Sequence, residues 1–132
     1  MSLNKVLLIG NVGQEPKITT FPEGKIANFT LATTERGFTT RDGRKVEDRT
    51  EWHNIVVRNR AVEVVEKYVK KGTPLFIEGK IATRSYIDNG GQKRYVTEII
   101  ASDLQLLGSK PKADNGADNG ADNYRYTRAY PD

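Results

Sequence analysis

The sequence contains no cysteine and only one histidine among its 132 residues. The absence of thiols excludes a disulfide scaffold, a thiolate zinc site, an iron–sulfur cluster and a cysteine nucleophile. One histidine cannot build a multi-histidine metal centre. We therefore expect no catalytic residues, no metal and no cofactor, and we predict that the protein is not an enzyme.

Long hydrophobic runs are also missing. The longest apolar run near the start, residues 6–9, is far shorter than the roughly 7 to 15 residues of a signal-peptide core or the roughly 20 residues of a membrane span. We expect a soluble protein of the cytoplasm with no membrane partner.

The excess of positive charge lies in the first part of the chain. The whole chain carries 21 Lys and Arg against 17 Asp and Glu, a net charge of +4. Residues 1–108 hold 17 of the basic and 13 of the acidic residues, so this segment carries the whole excess. A basic surface suits a polyanionic partner.

The composition changes at residue 109. Residues 109–132 contain no Val, Ile, Leu, Phe, Met or Trp, and the unit Ala-Asp-Asn-Gly repeats within them. Such a segment cannot bury enough apolar area to offset an ordering cost of roughly 1 to 2 kcal/mol per residue. We predict one folded domain over residues 1–108 and a disordered low-complexity tail over residues 109–132.

A period of two dominates the folded segment, and its apolar positions are rich in β-branched and aromatic residues. Both features are typical of half-buried strands. They predict five strands, at residues 4–10, 25–33, 51–58, 74–87 and 93–107. Residues 88–91, Asp-Asn-Gly-Gly, tolerate the positive φ of a tight turn and predict a long hairpin between the last two strands.

Residues 60–71 have helical spacing instead, with one apolar face made of Ala61, Val62, Val65, Tyr68 and Val69. Gly72 is predicted to be the left-handed cap of this helix, and Pro74 prevents its continuation. Three strands, a helix and two strands occur in this order in the OB-fold, a small Greek-key barrel. We predict a mainly β, five-stranded OB-fold with its helix between strands three and four, since a ferredoxin-like fold would need a second helix.

The third strand has two different faces. Trp52 and Arg58 share one face, while His53, Ile55 and Val57 share the other, because neighbouring side chains of a strand point in opposite directions. A charge is poorly suited to a barrel interior. The face with Trp52 is therefore predicted to look outward.

The fourth strand and the loop of residues 34–49 repeat this pattern of aromatic residues among cations. Proteins that bind single-stranded nucleic acid stack unpaired bases on rings while Lys or Arg meets the phosphates. The candidate stacking residues are Trp52, Tyr86 and Phe38. The candidates for phosphate contact or stacking are Arg36, Arg41, Arg58, Lys80, Arg84, Lys93 and Arg94.

Several stretches, in order, resemble the bacterial single-stranded DNA-binding proteins: NKVLLIGNVGQEP at residues 4–16, NFTLAT at 28–33, TEWH at 50–53, YVKKG at 68–72, FIEGKIATR at 76–84 and RYVTE at 94–98. The resemblance spans nearly all of residues 3–107. It implies a homotetramer of OB-folds around which single-stranded DNA wraps without base specificity. It also implies a nucleoid-associated protein that protects this DNA during replication, repair and recombination.

By position, the resemblance makes Trp52 and Tyr86 two of the family's stacking aromatics and places Phe38 near a third. The family's other aromatic on the third strand falls at Arg58, where a guanidinium can stack on a base or meet a phosphate. The family counterpart of His53 lies near the subunit interface. Many members end in an acidic tail with an amphipathic Pro-Phe tip that recruits replication and repair proteins, so we expect those partners if a native tip exists beyond Asp132.

Other interpretations remain open. Trp52 could close the barrel or lie in an interface, Tyr86 could pack against a cross-strand neighbour, and Phe38 could pin its loop. One alternative function is an RNA-binding chaperone on a similar barrel. Another is a metal-dependent nuclease, although its candidate carboxylates, Glu51, Glu78 and Asp88, have no spacing that supports a metal site.

Overall fold

Eight strands and one helix make up the secondary structure of the computed structural model, which describes residues 1–108. The tail predicted for residues 109–132 lies outside the described residues. In chain order the elements are β1 (Val6–Val12), β2 (Lys17–Phe21), β3 (Gly24–Glu35), β4 (Phe38–Thr39), β5 (Lys45–Val46), β6 (Arg49–Arg58), α1 (Ala61–Tyr68), β7 (Pro74–Ile87) and β8 (Lys93–Leu106). The five predicted strands correspond to β1, β3, β6, β7 and β8, and the short strands β2, β4 and β5 are additional.

The five long strands close into a barrel. The order in the sheet is β1-β7-β8-β6-β3-β2, and its pairs are antiparallel except for β6 with β8. β1 also pairs with β3, with Asn11 opposite Ala32 and Val12 opposite Leu31. A closed barrel of five long strands, with one helix between the third and the fourth, is an OB-fold. The predicted fold class is confirmed.

The barrel interior is filled by apolar side chains from every long strand, among them Val12, Leu31, Ile55, Val57, Leu75, Ile77 and Ile99. α1 packs against β3 and β6 and adds Val62 and Val65 to this core. β6 buries Ile55 and Val57 and leaves Trp52 and Arg58 exposed, so the predicted orientation of this strand is confirmed.

α1 is shorter than predicted and its buried face is narrower. Ala61 and Tyr68 are exposed, and the residues that the helix buries are Val62 and Val65. Val69 is already extended, and Gly72, at φ +91°, belongs to the next turn, where its N–H donates to the carbonyl of Val12. The prediction that Gly72 caps the helix is therefore wrong. No helix within residues 1–108 is long and apolar enough to cross a membrane.

β7 and β8 continue beyond the barrel as a hairpin arm, which comprises residues 80–87 and 93–97 with the turn between them. Gly91 has φ +80°, as the turn sequence predicts. Ile81, Ile87 and Tyr95 share the side of this arm that faces away from Tyr86, and all three are exposed. The arm thus presents three apolar side chains, each about half or more exposed.

Candidate nucleic-acid interface

Cross-strand register brings the outward side chains of five strands onto one surface. Residues directly opposite each other in neighbouring strands lie on the same side of a sheet. Trp52 lies opposite Ala32, and Arg58 lies opposite Ile26. Further along the sheet, Ile100 of β8 pairs with Val56 of β6 and with Lys80 of β7. We call this surface, which runs from β2 through β3, β6 and β8 to β7, the outer face.

A groove of about 530 Å³ crosses the outer face, and we call it the sheet groove. Its lining includes an aromatic ring, an apolar floor, three cations and one carboxylate, supplied by Phe21, Val56, Ile100, Arg58, Lys80, Arg84 and Glu98. Three of the predicted site residues are therefore brought together. This combination of apolar floor and cationic walls suits bases and phosphates at once.

Phe21 is a groove residue that the sequence prediction missed. It ends β2, lies opposite Gly24 and is exposed. The sequence feature that could have predicted β2 is a run of β-branched residues followed by the pair Pro22 and Glu23, which forms a two-residue hairpin turn. Because β2 pairs with β3, its last side chain reaches the same groove as Arg58.

Trp52 is 58% exposed although it is the largest apolar side chain in the domain. Its six-membered ring lies against Gly13, where an added Cβ would come within 2.6 Å of ring atom Cζ3. Trp52 precedes Arg58 by six residues on β6, a distance of about 20 Å at 3.3 Å per residue. The outer face thus offers an exposed ring at one end and a cationic groove at the other.

The other predicted aromatics lie on different elements. Tyr86 is exposed on the hairpin arm, where it pairs with Arg94. Phe38 is exposed on β4 and pairs with Val46 of β5, so only part of its ring packs within that small hairpin. The three rings therefore form no single pocket, and only an extended ligand could contact all of them.

The predicted cations divide into those with a carboxylate partner and those without one. Arg84 forms a fork with Glu98, whose hydrogen bonds and charge raise the pKa of the guanidinium. Arg94 donates its Nε–H to Oδ2 of Asp88 at 2.8 Å. This bond, followed by the backbone N–H of Gln92, lowers the pKa of Asp88 below its usual value.

Arg58 and Lys80 have no ion-pair partner within residues 1–108. Arg36 and Arg41 also lack one in this range, but neither lines the sheet groove. Lys93 lies on the far side of the hairpin arm from Arg94, with its Nζ 5.7 Å from the centre of the Tyr95 ring. Arg58 and Lys80 are therefore the groove cations whose charge is available to a phosphate.

His53 is half-buried, and its Nε2 forms a 2.8 Å hydrogen bond with the hydroxyl of Thr33. The carboxylates considered for a nuclease lie on different elements, and Glu78 pairs with Lys5 at 3.0 Å. No group of three potential metal-binding side chains occurs within the described 108 residues.

Residues 3–107 match the model of the single-strand binding protein family. The chain belongs to this family. Among curated relatives, the single-stranded DNA-binding protein of Bacteroides thetaiotaomicron is 53% identical over 118 residues, which cover 89% of this chain and 73% of that protein. The single-stranded DNA-binding protein of Rickettsia felis is 46% identical and covers 97% of this chain and 88% of its own length.

A solved structure also resembles this member of the single-strand binding protein family. The Plasmodium falciparum SSB, in complex with single-stranded DNA, superposes with a TM-score of 0.73 at 39% identity. The match covers 82% of this chain and 97% of the Plasmodium chain. The family predicted from the sequence is confirmed, and that related protein binds single-stranded DNA.

Proposed function

We propose that the chain binds single-stranded DNA without base specificity across the outer face. One base stacks on Trp52, and bases further along the same DNA strand stack on Tyr86 and Phe38. Arg58 and Lys80 meet phosphates. The observation that carries this proposal is the continuity of the outer face, which joins an exposed tryptophan to a groove with two cations that no carboxylate within residues 1–108 neutralises.

Stacking on these rings requires unpaired bases, because the faces of paired bases are already covered by their neighbours in a duplex. Every base has a flat face, so a ring accepts any sequence. Phosphate contacts likewise carry no sequence information. The proposed mode of binding therefore favours single strands over duplexes and is indifferent to sequence.

The biological setting belongs to the same proposal. Bound protein shields single strands that are exposed during replication, repair and recombination in the bacterial cytoplasm, on the nucleoid. The binding of replication and repair proteins through the tail remains a prediction for the native chain. The bacterial origin of the curated relatives supports this setting.

A gel-retardation experiment tests the function. Labelled oligo-thymidine and a mixed-sequence single strand are incubated with the protein and Mg²⁺, with unlabelled duplex or RNA of equal length as competitor. We expect both strands to be retarded uncut and the competitors to displace them poorly. Cleavage would favour the nuclease alternative, whereas effective competition by RNA would favour the RNA chaperone.

Arg58→Ala should make binding less sensitive to salt. Each phosphate that a cation neutralises contributes a slope of roughly −0.7 to a plot of log affinity against log salt concentration for single strands. Arg58 has no carboxylate partner in the part of the chain that the structure describes, so its removal should make the slope shallower by about 0.7. The measurement is a fluorescence-anisotropy titration at several salt concentrations. A reduced affinity with an unchanged slope would assign Arg58 to base stacking instead.

We further propose that the chain assembles as a homotetramer, with His53 near a subunit interface. Leu7 and Ile9 of β1 are exposed on its outward side, and residues 6–10 of this strand pair only with β7 within residues 1–108. An apolar strand with one unpaired edge favours association with another copy.

Light scattering should give a mass of four chains, and Leu7→Glu should reduce this mass. A monomeric parent protein at micromolar concentration would contradict the proposal.

A further inference from the structure

Glu98 is the one buried charged residue within residues 1–108, with 8% of its surface exposed. It lies on β8 directly opposite Ala82 and lines the sheet groove. A carboxylate in this position is unexpected, because it repels the phosphates that the neighbouring cations attract. Its presence therefore requires an explanation that the general binding model does not supply.

Arg84 neutralises this carboxylate. Its Nε–H donates to both oxygens of Glu98 at 3.2 Å, and its Nη2 lies 3.1 Å from Oε2. The Arg84 side chain is 60% exposed, whereas that of Glu98 is only 10% exposed, so the guanidinium covers the carboxylate. The fork occupies the edge formed by Nε and Nη2 and leaves Nη1 available.

The fork gives the sheet groove two kinds of cation. Arg58 and Lys80 have no ion-pair partner among residues 1–108, whereas the charge of Arg84 is offset by Glu98. A paired guanidinium keeps its flat face and its remaining N–H groups, so it can stack on a base or donate to one. A phosphate gains little there, because the attraction of Arg84 is opposed by the repulsion of Glu98.

We infer that Glu98 is a positioning residue for DNA binding that acts through Arg84. This inference rests on the proposed function. Glu98 fixes the guanidinium over the groove and offsets its charge, so that Arg84 contacts bases while Arg58 and Lys80 contact phosphates. The pair thereby directs bases, and not the backbone, to the part of the groove beside Ala82.

Glu98→Gln tests the inference, because the amide oxygen still accepts a hydrogen bond while the negative charge is lost. Arg84 then becomes a net cation that can neutralise a phosphate. The slope of log affinity for oligo-thymidine against log salt should become steeper by about 0.7. The matched control is Glu66→Gln. Glu66 lies on α1, outside the groove, and forms an ion pair with Lys25 of β3. This variant removes the same charge and should leave the slope unchanged.

The double variant Arg84→Met with Glu98→Gln removes both charges and keeps the test decisive if the single variant does not fold. It should bind more weakly than the parent protein with the parent's slope. An unchanged affinity would contradict base contact by Arg84, and a slope shallower by about 0.7 would show that Arg84 neutralises a phosphate despite Glu98.

Two further outcomes separate this inference from the function on which it rests. If the parent protein binds and folded Glu98→Gln has the parent's slope, the role of Glu98 is wrong and the proposed function stands. If the parent protein fails to bind single-stranded DNA at all, the proposed function itself is wrong.

Discussion

Replacement of Trp52 by alanine should weaken binding of single-stranded DNA by about 1 to 3 kcal/mol for each base that loses its stacking partner. This loss corresponds to roughly a 5- to 150-fold lower affinity. The ring is held against Gly13 and exposes 58% of its surface, so the substitution removes a platform and leaves the barrel core intact. The salt dependence should stay nearly constant, because a neutral ring releases no counterions from DNA.

Tyr68→Ala is the matched control for this substitution. Tyr68 is also 58% exposed, but it lies on α1 and lines no part of the outer face. Anisotropy titrations should give the parent affinity for Tyr68→Ala and a much weaker one for Trp52→Ala. Equal losses in the two variants would mean that Trp52 has no special role in binding. A flattened salt dependence in Trp52→Ala would mean that stacking is not its role.

Gly10→Ala should destabilise the barrel at the point where it closes. A Cβ on Gly10 would overlap the carbonyl oxygen of Ala32, which belongs to the backbone of β3 and cannot rotate away. β1 would have to move, and the pairs that begin at Asn11 would be strained. Overpacking of this kind typically costs about 1 to 3 kcal/mol and occasionally more. A loss of 1 kcal/mol lowers the melting temperature by roughly 4 to 8 °C in a domain of 60 to 100 residues.

Thermal unfolding followed by circular dichroism measures this loss, at equal protein concentration for all variants. Gly90→Ala provides the control, since among residues 1–108 a Cβ there meets only an oxygen of Asp88, at an ordinary 3.6 Å. That variant should unfold within a few degrees of the parent protein. If Gly10→Ala unfolds at the parent temperature, the close contact between β1 and β3 is not what closes the barrel.

Local patterns in the sequence were sufficient to predict the long strands. Alternation placed Trp52 and Arg58 outside and Ile55 and Val57 inside, because a half-buried strand imposes a period of two. β2 was not predicted, because it has only five residues and its place in the sheet depends on its pairing with β3. Tyr68 was placed on the buried side of the helix because spacing alone does not reveal how narrow the contact with the barrel is.

The pairing of Arg84 with Glu98 could not be predicted from either strand alone. Arg84 lies opposite Val96, and Glu98 lies opposite Ala82, so the two charged residues are diagonal neighbours across the hairpin. Their contact depends on the register of β7 against β8, which shifts at a bulge between Glu78 and Gly79. The sequence therefore grouped Arg84 with Arg58, whereas the structure separates a compensated cation from an uncompensated one.

The central claim, that unpaired bases lie on Trp52, is tested most directly by the fluorescence of this residue. Trp52 is the only tryptophan in the chain, so its emission can be followed without mutation. Titration with oligo-thymidine should quench it strongly and to saturation, whereas duplex of equal length should quench it little, because only unpaired bases can lie flat on the indole. Equal quenching by both forms, or retardation of single strands without quenching, would contradict the claim.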